Sequence, residues 1–76
     1  MIQMKRYTKE QIETLRLIYP AGTRLELVRM GDDPHPVAPG TKGTVRVVDD
    51  RGTIHMDWDN GRRIGLIPGE DVFRKI

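Results

Sequence analysis

The feature that most constrains this fold is the Asp-Asn-Gly triplet at positions 59–61, which separates two stretches of strand-forming residues. Asp-Gly and Asn-Gly steps are strong short-range signals of a β-hairpin, because its turn needs residues that tolerate a positive φ angle. The stretch GTIHMDWD, which ends at the first residue of the triplet, alternates apolar and polar side chains, and RRIGLI follows the triplet. The triplet therefore predicts two antiparallel strands that are joined by a three-residue turn, Asp59-Asn60-Gly61.

Two turns, at 49–52 and 59–61, predict the same inner face independently. A four-residue turn at 49–52 places Val45 opposite Met56, and a three-residue turn at 59–61 places Met56 opposite Ile64. A slip of one residue in either pairing would move these side chains to different faces. The predicted inner face consists of Val45, Val47, Ile54, Met56, Ile64 and Leu66, with Trp58 at its edge.

The opposite face is predicted to be polar, with Asp57 and Arg63 as cross-strand partners of opposite charge. His55 and Asp57 share this face, but Asp59 begins the turn, where a carboxylate usually caps backbone amides. Adjacent arginines oppose a cation, so we expect neither a metal site nor another cofactor. The other residues expected on this face are Thr44, Arg46 and Gly65.

The chain lacks the residues of the common catalytic sites. It contains no cysteine, no serine and neither a dinucleotide-binding nor a phosphate-loop glycine pattern. Glu70 and Asp71 fall in a predicted turn, where a capping role is the more common one. We therefore expect a non-enzymatic protein.

The sequence divides into an amphipathic helix with a linker at 1–22 and a small β-barrel at 23–76, which together make one domain. Thr8 followed by Gln11 is a capping-box pattern, and apolar residues then recur at helical spacing over about 8–18. Five short stretches with strand character follow, separated by tight turns. The predicted fold class is mainly β, a small five-stranded antiparallel barrel preceded by one short N-terminal α-helix.

Protein binding is the function that this pattern favours. The loop at 31–40 contains three prolines and two glycines, and long ordered loops on small domains often carry binding. We expect an unidentified protein partner, for which the chain acts as an adaptor or an inhibitor. The candidate partner-binding residues are Pro34, His35, Pro36 and Val37 of the loop, Trp58 beside it, and Arg46, His55 and Arg63 on the polar face.

Nucleic-acid binding is the alternative. The net charge is only +2, and the charged residues are interleaved along the chain instead of clustered, which supports this alternative weakly. Neither a signal peptide nor a membrane anchor is apparent, so we expect a cytoplasmic protein that does not bind membranes. The candidate nucleic-acid contacts are Lys5, Arg6, Tyr7, Arg46, Arg62 and Arg63.

Three stretches, YPAGTRLELVRM, PGTKGTVRVVDDRGTIHMDWDNG and IGLIPGEDVFR, resemble a bacterial family known as domain of unknown function 4314. The resemblance runs from about Tyr19 to Arg74 and leaves the N-terminal helix outside. It implies a barrel similar to Src-homology-3 (SH3) domains, and GTV…VDD…WDNG also resembles the domains shared by the Mind-bomb and Herc ligases. Members are often encoded on phages and conjugative elements, which implies an accessory protein that acts on a host or defence protein. The family has no established activity, so the resemblance implies no functional residues.

Overall fold

The structure, a computed structural model, describes residues 7–31 and 33–76. It is mainly β, with one N-terminal helix and an antiparallel sheet of four strands. No helix in this part of the chain is long and apolar enough to cross a membrane. The elements are α1 at Lys9–Ile18, β1 at Arg24–Arg29, β2 at Lys42–Val48, β3 at Ile54–Trp58 and β4 at Val72–Lys75. The strands lie in the sheet in the order β3-β2-β1-β4.

Helix α1 begins at the predicted capping box. The Thr8 hydroxyl accepts a hydrogen bond from the Gln11 amide (3.1 Å), and the Gln11 side chain accepts one from the Thr8 amide (2.8 Å). Ile12 is the buried residue of the helix, and Arg16 Nε donates to the carbonyl of Val48 at the end of β2 (3.1 Å). The helix therefore packs against the sheet of its own chain.

The pairing of β2 with β3 corrects one end of the predicted register. Val45 lies opposite Met56 as predicted, but a β-bulge follows, and Val48 instead of Val47 lies opposite Ile54. Val47 is consequently 53% exposed, whereas Val48 is 2% exposed. The prediction that Val47 belongs to the inner face is therefore wrong, and Val48 takes its place.

The turn before β3 explains this bulge. The Asp49 amide donates to the carbonyl of Thr53 (3.0 Å), so the turn is one residue shorter than predicted. Asp49 Oδ1 accepts from the amides of Arg51 (2.9 Å) and Thr53 (3.0 Å), and Gly52 adopts a φ of +87°. A bulge at Arg46 absorbs the displacement that the shorter turn creates.

The turn at 59–61 forms as predicted, but the stretch after it is not a full strand. Gly61 has a φ of +89°, and Ile54 and Leu66 exchange backbone hydrogen bonds of 2.9 and 2.8 Å. The carbonyl of Ile64 accepts from the indole Nε1 of Trp58 (2.8 Å) instead of joining the ladder. The described residues therefore form four strands, not the predicted five, and the sheet is not closed.

The core lies on the inner face of the sheet, and residues from the loops complete it. Ile64 is partly buried against this core, and Val37 reaches it from the 31–40 loop. The buried residues of this core cluster are Leu25, Leu27, Val37, Val45, Val48, Ile54, Met56, Trp58 and Leu66.

Candidate binding surface

The outer face of β2 and β3 carries an exposed charged cluster centred on Asp57. Arg63 Nε lies 3.3 Å from Asp57 Oδ1, which confirms the predicted pair, and Arg46 Nε lies 3.7 Å from Oδ2. The side chains of Arg46, Asp57 and Arg63 are 47%, 51% and 70% exposed, so these ion pairs contribute little to stability. We call these three residues the charged cluster. Its two guanidinium groups share one carboxylate, which leaves the cluster with a net positive charge.

His55 lies at the other end of this face and contacts a different carboxylate. Its Nε2 is 2.8 Å from Asp49 Oδ2, so His55 is bound to the turn before β3 and not to Asp57. Partial burial acts to raise the pKa of Asp49, but the hydrogen bonds from His55 and from the amides of Thr53 and Arg51 outweigh it and lower that pKa. Across residues 7–31 and 33–76, no group of three or more metal-ligating side chains lies together.

The proline loop presents an exposed ridge, which we define as Pro34, His35 and Pro36. The amide of His35 donates to Asp33 Oδ1 (2.8 Å). Arg62, from the turn after β3, donates through Nη1 to the carbonyl of Pro36 (3.0 Å) and through Nη2 to the carbonyl of His35. The ridge is therefore connected to the hairpin that also carries Asp57 and Arg63 of the charged cluster.

Val37 and Trp58, both expected to contact a partner, are core residues. They are 2% and 3% exposed, and the indole N–H of Trp58 donates to the carbonyl of Ile64. Neither side chain is accessible at the surface of this fold, so both expectations are corrected. Val37 instead packs in the core and so attaches the proline loop to it. Trp58 packs in the same core, at the start of the turn that carries Arg62.

Tyr7, the aromatic residue among the candidate nucleic-acid contacts, packs and hydrogen-bonds within the chain. Lys5 and Arg6 lie outside the described residues. Tyr7 is half-buried, and its hydroxyl donates to the carbonyl of Pro68 (2.5 Å). Its ring packs so closely on Gly52 that a Cβ atom there would lie 2.6 Å from Tyr7 Cδ2. Stacking on a base requires an exposed ring, so the expectation that Tyr7 contacts nucleic acid is corrected.

One polar contact of this surface was not predicted. Arg24 donates from both terminal nitrogens to the two carboxylate oxygens of Asp59 (2.7 Å each) and from Nη1 to the hydroxyl of Thr44 (3.0 Å). The hydrogen bond from Arg24 is the main cause of the lowered pKa of Asp59. Asn60, not Asp59, caps the turn, since its side chain accepts from the amide of Arg62 (3.0 Å).

Comparison with known protein families gave a match over nearly the whole chain. The family described as "Domain of unknown function (DUF4314)" matches residues 8–76. The match confirms the resemblance and extends it to include α1, which the resemblance from the sequence had left outside. No curated protein matches the chain.

Proposed function

The chain belongs to the DUF4314 family, and we propose that it is a non-catalytic module that binds a protein partner through the proline ridge and the charged cluster. The observation that carries this proposal is that the ridge residues are exposed while Arg62 hydrogen-bonds the backbone carbonyls of His35 and Pro36. Binding a preformed loop costs less conformational entropy than ordering a flexible one, so a clamped ridge suits recognition.

The contacts of the ridge support this reading. Among the described residues of the loop, Val37 is the one in the buried core, and the side chains of Pro34, His35 and Pro36 are exposed. Arg62 nevertheless holds the backbone of the ridge in place through two carbonyl groups. Order without a packing role is the pattern expected of a recognition loop.

The charged cluster supplies the electrostatic part of the proposed surface. Arg46 and Arg63 share the single carboxylate of Asp57 at distances longer than normal hydrogen bonds. Both guanidinium groups are exposed and keep donors for a carboxylate of the partner. A partner with an acidic side chain beside a pocket for proline fits this surface best.

We also assign the fold to the SH3-like barrels, in which the stretch at 62–66 acts as an incomplete fifth strand. The single exchange of hydrogen bonds between Ile54 and Leu66 supports this assignment. In the mobile-element setting that the resemblance implies, the partner is a host or defence protein, and the chain acts as its inhibitor or adaptor.

The nucleic-acid alternative is less well supported by the contacts of its residues. Arg62 donates to the carbonyls of His35 and Pro36, so its guanidinium group is already engaged within the chain. A nucleic-acid site usually offers unpaired cations and exposed aromatic faces. Tyr7 packs against the turn before β3 and offers no such face.

The test is affinity capture from a lysate of the source cell, with nuclease treatment, by three forms of the protein. These are the wild type, a ridge variant (Pro34→Ala, His35→Ser, Pro36→Ala) and a control with Pro20→Ala, an exposed proline outside the loop. We expect a protein that the wild type and the control retain and the ridge variant loses, whether or not nuclease is present. Retention by the ridge variant, or loss of every bound protein after nuclease treatment, would contradict the proposal.

A further inference from the structure

The two edges of the sheet are not equivalent. At the β3 edge, Trp58 donates to the carbonyl of Arg62 (2.9 Å), and Ile54 exchanges hydrogen bonds with Leu66. The stretch after the hairpin thus lies along β3. At the other edge, β4 pairs only with β1 among the described residues. An open edge presents backbone donors and acceptors to any chain that can extend beside it.

The register of β4 identifies these backbone groups. The amide of Ile76 donates to the carbonyl of Arg24 (3.2 Å), and Arg74 lies opposite Glu26. Because hydrogen-bonded pairs alternate along an antiparallel ladder, Arg74 and Ile76 direct their amides and carbonyls towards β1. The N–H and C=O groups of Phe73 and Lys75 therefore point outward from the sheet.

The side chains beside this edge favour one kind of neighbour. The Phe73 ring packs edge-on against Tyr19, with 5.6 Å between the ring centroids. These two rings form an apolar surface beside β4. The Lys75 ammonium group lies 5.5 Å from the centroid of the same Tyr19 ring. Arg74, on the opposite side of the strand, is 67% exposed even though it contacts Glu26.

We propose that β4 accepts an additional antiparallel strand from a partner protein, with an apolar residue facing Phe73 and an acidic residue facing Lys75. Charge complementarity determines this choice, because the end of β4 carries Arg74 and Lys75 in sequence. The site is separate from the proline ridge, which lies beside β3 at the far end of the strand order.

A second copy of this chain fits the edge less well. A register that places Arg74 or Lys75 opposite itself brings like charges together across the new pair. The register centred on Phe73 places Lys75 opposite Asp71, whose amide already donates to the carbonyl of Ile67 (2.9 Å). That amide is then not available for the ladder, so the partner is a different chain.

The test uses hydrogen exchange and amide chemical shifts with a defined probe. The probe is a blocked threonine-rich heptapeptide, Thr-Thr-Glu-Thr-Val-Thr-Thr, and its control has lysine in place of glutamate. In the free protein we expect the amides of Phe73 and Lys75 to exchange much faster than that of Arg74. The glutamate peptide is expected to shift and protect these two amides, with an affinity up to about 5-fold above that of the lysine peptide.

Two variants of one residue separate the backbone contribution from the charge. Lys75→Pro removes an outward N–H but none of the bonds to β1, and proline is tolerated at such edge positions. We expect Lys75→Pro to abolish peptide binding and Lys75→Gln to bind both peptides equally. The ridge variant is expected to bind the glutamate peptide as the wild type does, which separates this site from the proposed function.

Three results would overturn the proposal. The first is equal protection of Phe73, Arg74 and Lys75 in the free protein, which would mean that the edge is already covered. The second is that the amide chemical shifts of β4 do not change when millimolar glutamate peptide is added. The third is concentration-dependent protection of β4 without peptide, which would identify a second copy as the occupant.

Discussion

Replacing Val47 and Val48 separately by alanine tests the β-bulge, because the two neighbouring valines differ mainly in burial. Val48 is 2% exposed and packs in the core, whereas Val47 is 53% exposed. Removing two buried carbons costs about 0.8 kcal/mol each in transfer free energy, and the cavity raises the expected cost of Val48→Ala to about 2–3 kcal/mol. Val47→Ala loses about half of the transfer contribution and leaves no cavity, so we expect less than about 1 kcal/mol.

Urea and thermal unfolding of the two variants measure this difference directly. At about 4–8 °C per kcal/mol for a domain of this size, the Tm of Val48→Ala should lie roughly 5–15 °C below that of Val47→Ala. If Val48→Ala does not fold at all, the order of the two variants still holds. Equal losses, or a larger loss for Val47→Ala, would refute the bulge and restore the straight register in which Val47 faces the core.

Three further perturbations test the hairpin and its contacts. A Cβ atom on Gly43 would lie 2.7 Å from Trp58 Cε3, so Gly43→Ala should lower the free energy of unfolding by about 1–3 kcal/mol; an unchanged urea midpoint would contradict this packing. The pKa of Asp49 is lowered in the folded state, so its stabilising contribution is complete above the unfolded-state pKa and is lost as the pH falls through the folded-state value. The stability of Asp49→Asn should therefore fall less than that of the wild type below about pH 4, and parallel curves from urea titrations would exclude this role. Arg62→Ala should lower the amide order parameter of His35 while Tm changes little, whereas an unchanged order parameter would show that other contacts fix the ridge.

The parts of the fold that could be predicted from the sequence are those whose conformation depends on residues close together in the sequence. The capping box at Thr8 and Gln11 joins residues within one turn, and the turn at 59–61 depends on its own residue types. Both formed as predicted. The bulge was not predicted because the Asp49 side chain shortens its turn through bonds to the amides of Arg51 and Thr53, which alternation of apolar residues does not reveal.

The candidate surface was less predictable, because its contacts join residues that are distant in sequence. Arg24 and Asp59 are 35 positions apart, and Arg62 reaches the carbonyl of Pro36 across 26 positions. No local pattern indicates such contacts. The burial of Val37 has a similar cause, since a single apolar residue among prolines gives no periodicity to show which way it faces.

The way in which Arg62 holds the ridge has a consequence for how this protein can change during evolution. Arg62 contacts carbonyl oxygens of the ridge, which every amino acid possesses, and no side chain of His35 or Pro36 takes part in these bonds. A mutation at His35 therefore alters the exposed chemistry while the anchoring bonds remain. Under the proposed function, a substitution at His35 changes what the ridge recognises without requiring a new loop conformation.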